Sequence, residues 1–582
     1  MRVSFLAILA TRNFNKKAKI QSANGAVYKH IKIFMNTKIK IYLVVLIIIS
    51  LPTLCMSKEY DVVIYGGTSS GIISAVQSSK DGRDVVIIEP SAKQGGLLGG
   101  LTTGGLSMTD HGKKSSIGGL ALDFYHRIGK EYHYDGPAWR FEPKMALKVF
   151  NEMIKEQGIT VIYDERIDLD KGVMKKGNKI HSIKMESGKT FEGKIFIDAT
   201  YEGDLMALAG VNYTVGREPN SKYGETFNGI VERQYHLNVP AGIDPYIEKG
   251  NPSSGLLPWV NPDLGGNFGD GDSKVMAYCY RMCMTDDPKN RVMIEKPANY
   301  NEMEYELLFR AFEKGFRGQC FQLTPIQNQK TDSNMGGGIS TNYVGASWNY
   351  PEANYETREK IRKAHENYQK GFVWTVQNHP RIPLKVREFY KNWGLAKDEF
   401  VENSHWSPQL YIRESRRMVS DCVVTENEIF QKKSVKKSIG LASYNIDSHP
   451  VQYCIGKDGF VRAEGATIKS PPKAYQLDYG IITPQKSDCE NLLVSVCVSA
   501  SHSAYTSLRM EPVYMILGQS ASVAASLAIE DKVPVQDIDY NVLKKRLLAA
   551  GQIIEDSDND KFEMDDSKNN KQFRTIPLQP TF

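Results

Sequence analysis

The sequence predicts an α/β fold with a parallel β-sheet at its centre. Residues 61–65 form a short apolar run rich in β-branched side chains, which is typical of a buried parallel strand. A glycine-rich turn follows at residues 66–71, and residues 71–80 place small and apolar side chains along one helical face. Residues 84–88 form a second strand of the same type, which ends at Glu89. This order of strand, turn, helix and strand is that of a βαβ unit.

The turn and the second strand together predict a dinucleotide site. Glycine at positions 66 and 71 permits a sharp turn and a close approach of the helix to the strand. Amides at the start of the helix, together with the helix dipole, bind a pyrophosphate, and an acid at the second strand end accepts hydrogen bonds from a ribose. The predicted site residues are Gly66, Gly67, Thr68, Ser69, Ser70, Gly71 and Glu89.

Thr68 departs from the dinucleotide pattern, which has a glycine at this position. A side chain there restricts how closely the backbone approaches a phosphate, although a hydroxyl can also donate to it. Residues 67–71 also match the G-x-S-x-G nucleophile elbow of α/β-hydrolases. In those enzymes several strands precede the elbow, whereas here a single predicted strand does, so the dinucleotide interpretation is favoured.

Later segments distinguish FAD from NAD. Residues 95–106 are dense in glycine, beginning with Gly95, Gly96 and Leu97, and backbone that lies against a bulky flat ligand requires residues without side chains. A surface loop is the alternative explanation. Residues 194–204 and 491–498 add two further strands, and a helix predicted from Pro512 carries a stripe of small residues, namely Gly518, Ala521, Ser522 and Ala525.

These segments resemble the FAD-dependent oxidoreductase family of exported bacterial proteins. That family has the glutathione-reductase-like fold, is distantly related to the flavin subunit of heterodisulfide reductases, and is sometimes labelled xanthan lyase. The resemblance covers residues 60–89, 95–119, 197–204, 411–417, 446–449 and 492–551.

The resemblance implies a glutathione-reductase-type FAD-binding domain with a Rossmann-like sheet, an inserted α+β substrate domain, and a redox role. It implies that the helix after residue 510 directs its positive end at the flavin N1 and C2 carbonyl. It adds Ala199, Thr200, Asp204, Arg509, Met510 and Glu511 to the expected cofactor contacts. An iron–sulfur cluster is not expected because the cysteine motif of the relatives is missing, and no metal ligands are predicted.

The expected domain order begins with a leader at residues 1–57. The FAD-binding domain occupies 58–211 and 401–551, the substrate domain is inserted at 212–400, and a polar tail covers 552–582. The middle region is rich in aromatic and amide side chains, which either stack on sugar rings or form a core. These side chains include Trp259, Trp348, Tyr350, Trp374 and Trp406.

Four residues are the candidates for chemistry. A flavin dehydrogenase requires a base for a hydroxyl or amine proton, and histidine suits this role at neutral pH. His449 and His502 lie in family-like segments and are expected outside regular helices. Arg413 and Arg417 are candidates for binding a carboxylate or the flavin's pyrimidine edge, with a buried ion pair to Glu414 as the alternative. Asp110, His111 and Arg509 are weaker candidates.

Charge and hydropathy indicate export. The leader holds nine basic residues and no acidic ones, which leaves 64 basic and 67 acidic side chains and no basic surface for nucleic acid. The apolar run at residues 41–54 is shorter than a membrane-spanning helix and predicts a signal peptide that starts at Met35. The expected location is therefore periplasmic or secreted. Lipid attachment at Cys55 is disfavoured because Leu54 is large.

The predicted function is hydride transfer to flavin N5 from a small hydroxylated substrate, either sugar-derived or of another kind. The expected partners are this substrate and an electron acceptor, with no spanning segment in the mature chain. Two alternatives remain at this stage. One is a hydrolase or polysaccharide lyase without flavin, and the other is a flavin-binding or carbohydrate-binding protein without turnover.

Overall fold

The computed structural model describes residues 58–91, 98–231, 239–316, 318–556, 573, 575 and 576. Several sequence predictions therefore fall outside the described residues. These are the signal peptide starting at Met35, the lipid site at Cys55, the contacts of Gly95, Gly96 and Leu97, and most of the polar tail.

The first third of the described chain alternates strands and helices. In order it contains β1 (Glu59–Tyr65), α1 (Ser69–Lys80), β2 (Val85–Glu89), α2 (Gly119–Glu131), α3 (Pro143–Glu156), β3 (Thr160–Tyr163), β4 (Val173–Lys176), β5 (Lys179–Lys184), β6 (Thr190–Asp198), α4 (Asp204–Leu208), β7 (Tyr213–Thr214) and α5 (Asn220–Tyr223).

The remaining elements are shorter strands and a few long helices. They are β8 (Val260–Asn261), β9 (Cys279–Tyr280), β10 (Met282–Thr285), β11 (Arg291–Val292), α6 (Glu306–Glu313), β12 (Thr324–Pro325), β13 (Lys330–Ser333), α7 (Tyr355–Asn378), α8 (Leu384–Tyr390), β14 (Gly394–Ala396), β15 (Leu410–Tyr411), β16 (Arg417–Met418), α9 (Glu426–Ile429), β17 (Ser438–Ala442), β18 (Ile446–Asp447), β19 (Gln452–Ile455), β20 (Val461–Glu464), β21 (Ile468–Lys469), β22 (Tyr475–Asp478), β23 (Leu492–Val494), α10 (His502–Leu508), α11 (Glu511–Asp531) and α12 (Tyr540–Ala549).

A mixed sheet confirms the predicted α/β class. Strands follow the order β3-β2-β1-β6-β5-β4, and β23 also pairs with β6. The pairs among β1, β2, β3, β6 and β23 are parallel, and β4, β5 and the start of β6 form antiparallel hairpins. Val62, Val63 and Ile64 of β1 have no solvent exposure. Burial on both faces explains why β1 has a continuous apolar sequence instead of an alternating one.

Helix α11 packs tightly on α1 through the predicted stripe of small residues. A Cβ added at Gly518 would lie 2.4 Å from the Ser70 carbonyl oxygen, so only glycine permits this approach. One turn later, the hydroxyls of Ser78 and Ser522 lie 2.9 Å apart. Helix α11 is long and apolar enough to cross a membrane, but 94% of its most apolar window is buried inside the protein, as in a core helix.

The middle of the chain carries a second sheet and its own apolar core. Strands β11, β14, β10, β13 and β12 pair in that order, all antiparallel. The last turns of helix α7 bury Phe372, Val373 and Val376 in this core. The chain from Lys58 onward forms one compact unit. The domain boundaries at 211, 400 and 551 stay predictions.

Candidate functional site

The glycine turn between β1 and α1 has no room for side chains at two positions. Gly66 has a φ of +107°, and a Cβ added there would lie 2.9 Å from atoms of Ala199 and Thr200. A Cβ at Gly71 would lie 1.9 Å from the Gly66 carbonyl oxygen. The turn therefore brings α1 against the end of β6, as expected from the sequence pattern.

The three hydroxyls of the turn are all bonded within the protein. Thr68 donates to the Ala199 carbonyl oxygen at 2.7 Å and accepts from the Gly71 amide as the N-cap of α1. Ser70 donates to Ser495 at 2.8 Å, and Ser69 donates to Glu511 Oε2 at 2.6 Å. Ser69 thus faces a carboxylate, whereas a nucleophile elbow pairs its serine with histidine.

Glu89 lies directly beside the turn at the end of β2. Its Oε2 accepts the Gly67 amide at 2.7 Å, and its Oε1 accepts the amide of Ser91 at 2.7 Å. Burial raises the pKa of the Glu89 carboxyl. Gly66, Thr68 and Glu89 line one cleft of about 810 Å³, including the part open to solvent.

The same cleft is also lined by Thr200, Tyr201 and Asp204. Thr200 donates to Asp198 at 2.7 Å, so its hydroxyl is held by the end of β6. Asp204 binds both terminal nitrogens of Arg358 at 2.6 and 2.9 Å, and Arg416 at 2.7 Å. Burial would raise the pKa of Asp204, but these two arginines lower it, so the carboxylate is ionised and paired.

The glycine-rich segment after β2 crosses the turn. The Gly99 amide donates to the Gly67 carbonyl oxygen at 2.7 Å. A Cβ added at Gly99 would lie 2.4 Å from Thr103, and one at Gly105 would lie 2.8 Å from the Arg281 carbonyl oxygen. The glycines of this segment therefore permit close contacts with the protein itself.

The start of α11 connects the turn to a second polar region. Glu511, the first residue of α11, accepts hydrogen bonds from Ser69 and Thr102 at 2.6 Å and from Tyr201 at 2.8 Å. Arg509, two residues earlier, donates to the Tyr411 hydroxyl and to the Asp447 carbonyl oxygen, both at 2.7 Å.

Three buried arginines surround the ring of Tyr411. The guanidinium carbons of Arg281, Arg413 and Arg509 lie 5.9, 4.5 and 5.6 Å from the ring centroid. We call these three residues the arginine cluster. Arg281 is missed by sequence reasoning, because it lies between β9 and β10 while its partner Asp332 lies on β13, and neither residue belongs to a motif.

Polar atoms without a partner concentrate at the arginine cluster. The Nε atoms of all three arginines are buried and make no hydrogen bond. The same holds for Oδ1 of Asp332 and Oδ1 of Asn342. Buried polar groups are normally satisfied, and unsatisfied ones are costly. Such a concentration indicates a polar ligand at this place.

Asp110 and His111 border the cluster and are partly exposed. Asp110 accepts a hydrogen bond from the Tyr444 hydroxyl at 3.1 Å. Burial raises the pKa of Asp110, and the nearby charge of Arg281 opposes this shift. Burial lowers the pKa of His111 to about 4.

His449 also belongs to this region. Its Nδ1 lies 3.3 Å from the Asn342 amide nitrogen, and its Nε2 lies 3.5 Å from Asp447. Burial, and after it the charge of Arg413, lowers the pKa of His449 to about 3. The ring is therefore neutral at physiological pH.

His502 and Arg417 lie in a separate buried ion network. The expectation that His502 lies outside a helix is wrong: it is the first residue of α10, capped by Ser501. Its Nδ1 lies 2.7 Å from Glu414, and Arg417 binds Glu218 at 2.8 Å and Glu414 at 3.2 Å. The predicted pairing of Glu414 with an arginine is thus present in the structure.

One group of acids has the spacing of a metal site. Oxygen atoms of Glu142, Asp398 and Glu399 lie within 4.8 Å of one another. The Lys330 ammonium lies among them, at 2.6, 2.8 and 2.6 Å respectively. A buried ammonium therefore occupies the place that a metal ion would take among these acids.

The sequence matches the family of FAD dependent oxidoreductases over residues 61–547. The chain belongs to this family. The enzyme is an FAD-dependent oxidoreductase, which confirms the predicted cofactor and enzyme class and replaces the alternatives of a hydrolase, a lyase or a passive binder. No curated protein sequence is significantly similar to it.

Solved structures of flavoproteins and reductases also resemble parts of the chain. A mutant flavin monooxygenase from Stenotrophomonas maltophilia is 17% identical over 24% of this chain and 38% of its own, with a TM-score of 0.18. Bacillithiol disulfide reductase from Staphylococcus aureus is 21% identical over 25% and 38%, with a TM-score of 0.17. Thioredoxin reductase from Streptococcus pyogenes is 21% identical over 28% and 40%, with a TM-score of 0.16. The chain spans about two fifths of the length of these structures.

The turn between β1 and α1 fits the dinucleotide part of FAD. The turn at Gly66 and the acid Glu89 line one cleft, as a bound dinucleotide requires. The unpartnered polar atoms of the arginine cluster include the Nε of Arg509, which lies two residues before the start of α11.

No disulfide joins the seven cysteines in the described part of the chain.

Proposed function

We propose that the enzyme oxidises a small hydroxylated, sugar-derived compound by hydride transfer to FAD, and that the substrate binds at the arginine cluster. One observation carries the proposal. Glu511, the first residue of α11, contacts the dinucleotide turn, and Arg509 of the arginine cluster stands two residues before it in the chain. This proximity in the chain supports a substrate site next to the cofactor.

In this proposal the predicted cofactor residues hold FAD. The start of α1 would hold the pyrophosphate and Glu89 would hold the ribose, while the start of α11 would supply its positive dipole end to the flavin. Within the turn, the amides of Gly66, Gly67 and Gly71 already donate to the Ile88 carbonyl oxygen, Glu89 and Thr68. Ala199, Thr200 and Asp204 support the turn from β6 and α4. Bound FAD supplies a two-electron acceptor at N5.

Oxidation of an alcohol to a carbonyl requires a base for the hydroxyl proton as the hydride leaves the carbon. We assign this base to Asp110, because it is partly exposed beside the cluster and because burial raises its pKa and thus its basicity. Both ring nitrogens of His449 have protein partners, so we do not assign the base to this residue. We assign it the role of positioning Asp447, which binds Arg509.

Anaerobic spectroscopy of the purified enzyme tests the proposal. A panel of sugars, sugar alcohols and sugar acids is added to the FAD-loaded protein, and loss of the oxidised flavin bands is followed. At least one compound is expected to bleach the flavin. If every compound leaves the spectrum unchanged while dithionite reduces it, the proposed substrate class is wrong.

Asp110→Asn tests the proposed base. The variant should keep its flavin spectrum and be reduced by substrate about 10²–10⁴-fold more slowly. Asp123→Asn is the matched control, because Asp123 is a partly exposed acid on α2 that pairs with Arg127. Reduction of the Asp110 variant at the wild-type rate would contradict the assignment.

We also propose that the enzyme acts outside the cytoplasm. The support is the apolar run at residues 41–54 with basic residues before it. Expression of the full chain followed by cell fractionation and N-terminal sequencing tests this. The expected product starts near residue 58, whereas an uncleaved cytoplasmic protein would refute export.

A further inference from the structure

We infer that the substrate carries a carboxylate bound by Arg413 within the arginine cluster, so that the compound oxidised is a hydroxy acid. This inference rests on the proposed function and specifies its substrate class. It follows from the contacts and burial of Arg413, from the surroundings of the cluster, and from the position of Asp110.

The contacts of the Arg413 guanidinium suit the binding of an anion. It is 1% exposed. Its Nη1 donates to the Ala277 carbonyl oxygen at 2.5 Å and its Nη2 to the Cys279 sulfur at 3.2 Å. Both partners are neutral atoms, and Nε has no partner. A buried charge is normally paired, so this arrangement indicates a ligand of opposite charge.

The other two members of the cluster differ from Arg413 in having acidic partners. Arg281 binds Asp332 at 2.9 Å, and Arg509 approaches Asp447 at 3.3 Å. Their Nε atoms are nevertheless unpartnered, as is Oδ1 of Asp332. Among the described residues, Arg413 is therefore the member of the cluster whose hydrogen bonds go to neutral atoms and not to an acid. The charge of Arg413 contributes to lowering the pKa values of two nearby histidines, His365 and His449.

The chemistry of the guanidinium favours a carboxylate over a neutral hydroxyl. Its planar fork matches the two carboxylate oxygens, and such charge-assisted pairs are stronger than neutral hydrogen bonds. Asp110 is close enough to Arg281 and Arg509 for their charges to affect its pKa. A 2-hydroxy acid has its carboxylate and hydroxyl on adjacent carbons, so it offers one group to a guanidinium and the other to a base.

Binding of a redox-inert anion tests the site separately from turnover. Acetate is titrated into the FAD-loaded enzyme at constant ionic strength, with chloride as the control anion. The flavin spectrum and the Tm are both measured. Acetate, but not chloride, should perturb the spectrum and raise the Tm. If acetate raises the Tm of the FAD-free protein but not that of the FAD-loaded protein, FAD itself occupies the arginines. The inference is then overturned.

A matched substrate pair tests the preference for an acid. Glycolate and ethylene glycol both have a primary alcohol beside a second oxygenated carbon, but only glycolate has a carboxylate. Glycolate should bind at least 100-fold more tightly, judged from the flavin spectrum or from competition with acetate. Equal binding of the two compounds would overturn the inference.

Variants at residue 413 test the role of its side chain. Arg413→Met should weaken acetate binding at least 10-fold and remove the discrimination between glycolate and ethylene glycol. Arg413→Lys keeps the positive charge but lacks the planar fork, so it should retain part of the acetate binding. Partial binding by this variant shows that the loss in Arg413→Met does not come from misfolding. Arg291→Met is the control, since Arg291 in β11 contacts the Asn392 carbonyl oxygen. Unchanged acetate binding in the folded Arg413 variants refutes the site.

The two proposals can fail separately. If acetate binds through Arg413 but no hydroxy compound bleaches the flavin, the anion site stands and the proposed reaction is wrong. If neutral sugars bleach the flavin and carboxylates neither bind nor compete, the reaction stands and the inference is wrong.

Discussion

Ser69 and Glu511 are 442 positions apart in the chain, yet the Ser69 hydroxyl donates to Glu511 Oε2 at 2.6 Å. This bond joins the first turn of α1 to the first turn of α11, so the N-termini of two helices meet at the same carboxylate. Thr102 and Tyr201 donate to that carboxylate as well.

Glu511→Gln should destabilise the protein and weaken its hold on FAD. An amide has one acceptor oxygen in place of two, so one of the three buried donors loses its partner at a cost of about 1–3 kcal/mol. Chemical denaturation and the FAD content after gel filtration measure the effect. Glu530→Gln is the control on the same helix, because Glu530 pairs with Arg546 near the surface and should change stability by about 0–1 kcal/mol. Equal effects of both substitutions would contradict a special role for Glu511.

Gly66→Ala should reduce FAD binding severely. The φ of +107° and the contacts at 2.9 Å with Ala199 and Thr200 require the turn to shift, and this moves the amides that face the cleft. The measurement is the flavin-to-protein absorbance ratio. Gly82→Ala is the control, since Gly82 also has a positive φ but open space around it. A normal ratio for the Gly66 variant would show that the turn does not hold the cofactor.

Arg417→Met should act on stability. Removing this guanidinium takes a positive charge away from the buried carboxylates of Glu218 and Glu414. Breaking a buried ion pair in this way costs about 3–5 kcal/mol. Thermal unfolding should show a large decrease in Tm. Arg462→Met, which removes an exposed pair with Asp458, should change little. If the Arg417 variant is as stable as wild type but loses activity, this arginine takes part in chemistry.

Stability should fall as the pH decreases from about 6.5 to 4. Burial lowers the pKa of His365 to about 4. Its Nδ1 contacts the Ile361 carbonyl oxygen at 2.8 Å, and its Nε2 contacts the Ser347 hydroxyl at 3.2 Å. In this pH range the unfolded state binds the proton and the folded state does not. Each such histidine therefore contributes about 1.4 kcal/mol per pH unit to the loss.

His365→Gln measures this contribution. Glutamine also offers one donor and one acceptor, so the variant should keep the fold and show a shallower dependence of the unfolding free energy on pH. His181→Gln is the control, because His181 is partly exposed on β5 and lies 4.0 Å from Glu192. An unchanged slope in the His365 variant would mean that this ring is protonated in the folded state.

The sequence alone determined the family, the cofactor and the central βαβ unit. These depend on local features: the glycine turn, the acid at the end of β2, and apolar runs that require burial on both faces. The stripe of small residues on α11 is also a local feature of the sequence, because a row of small side chains on one helical face allows another helix to approach closely.

Tertiary structure alone decided which polar residues meet. Arg413 and Arg417 are four residues apart, but one joins the arginine cluster and the other an ion network with Glu218. Arg281 lies between β9 and β10 and Asp332 lies on β13, and no local pattern connects them. His502 is a different case, because the cap Ser501 that starts α10 is its neighbour in the chain and thus a local signal. Long-range pairing of charges depends on how distant segments fold together, and a linear pattern carries no information on that.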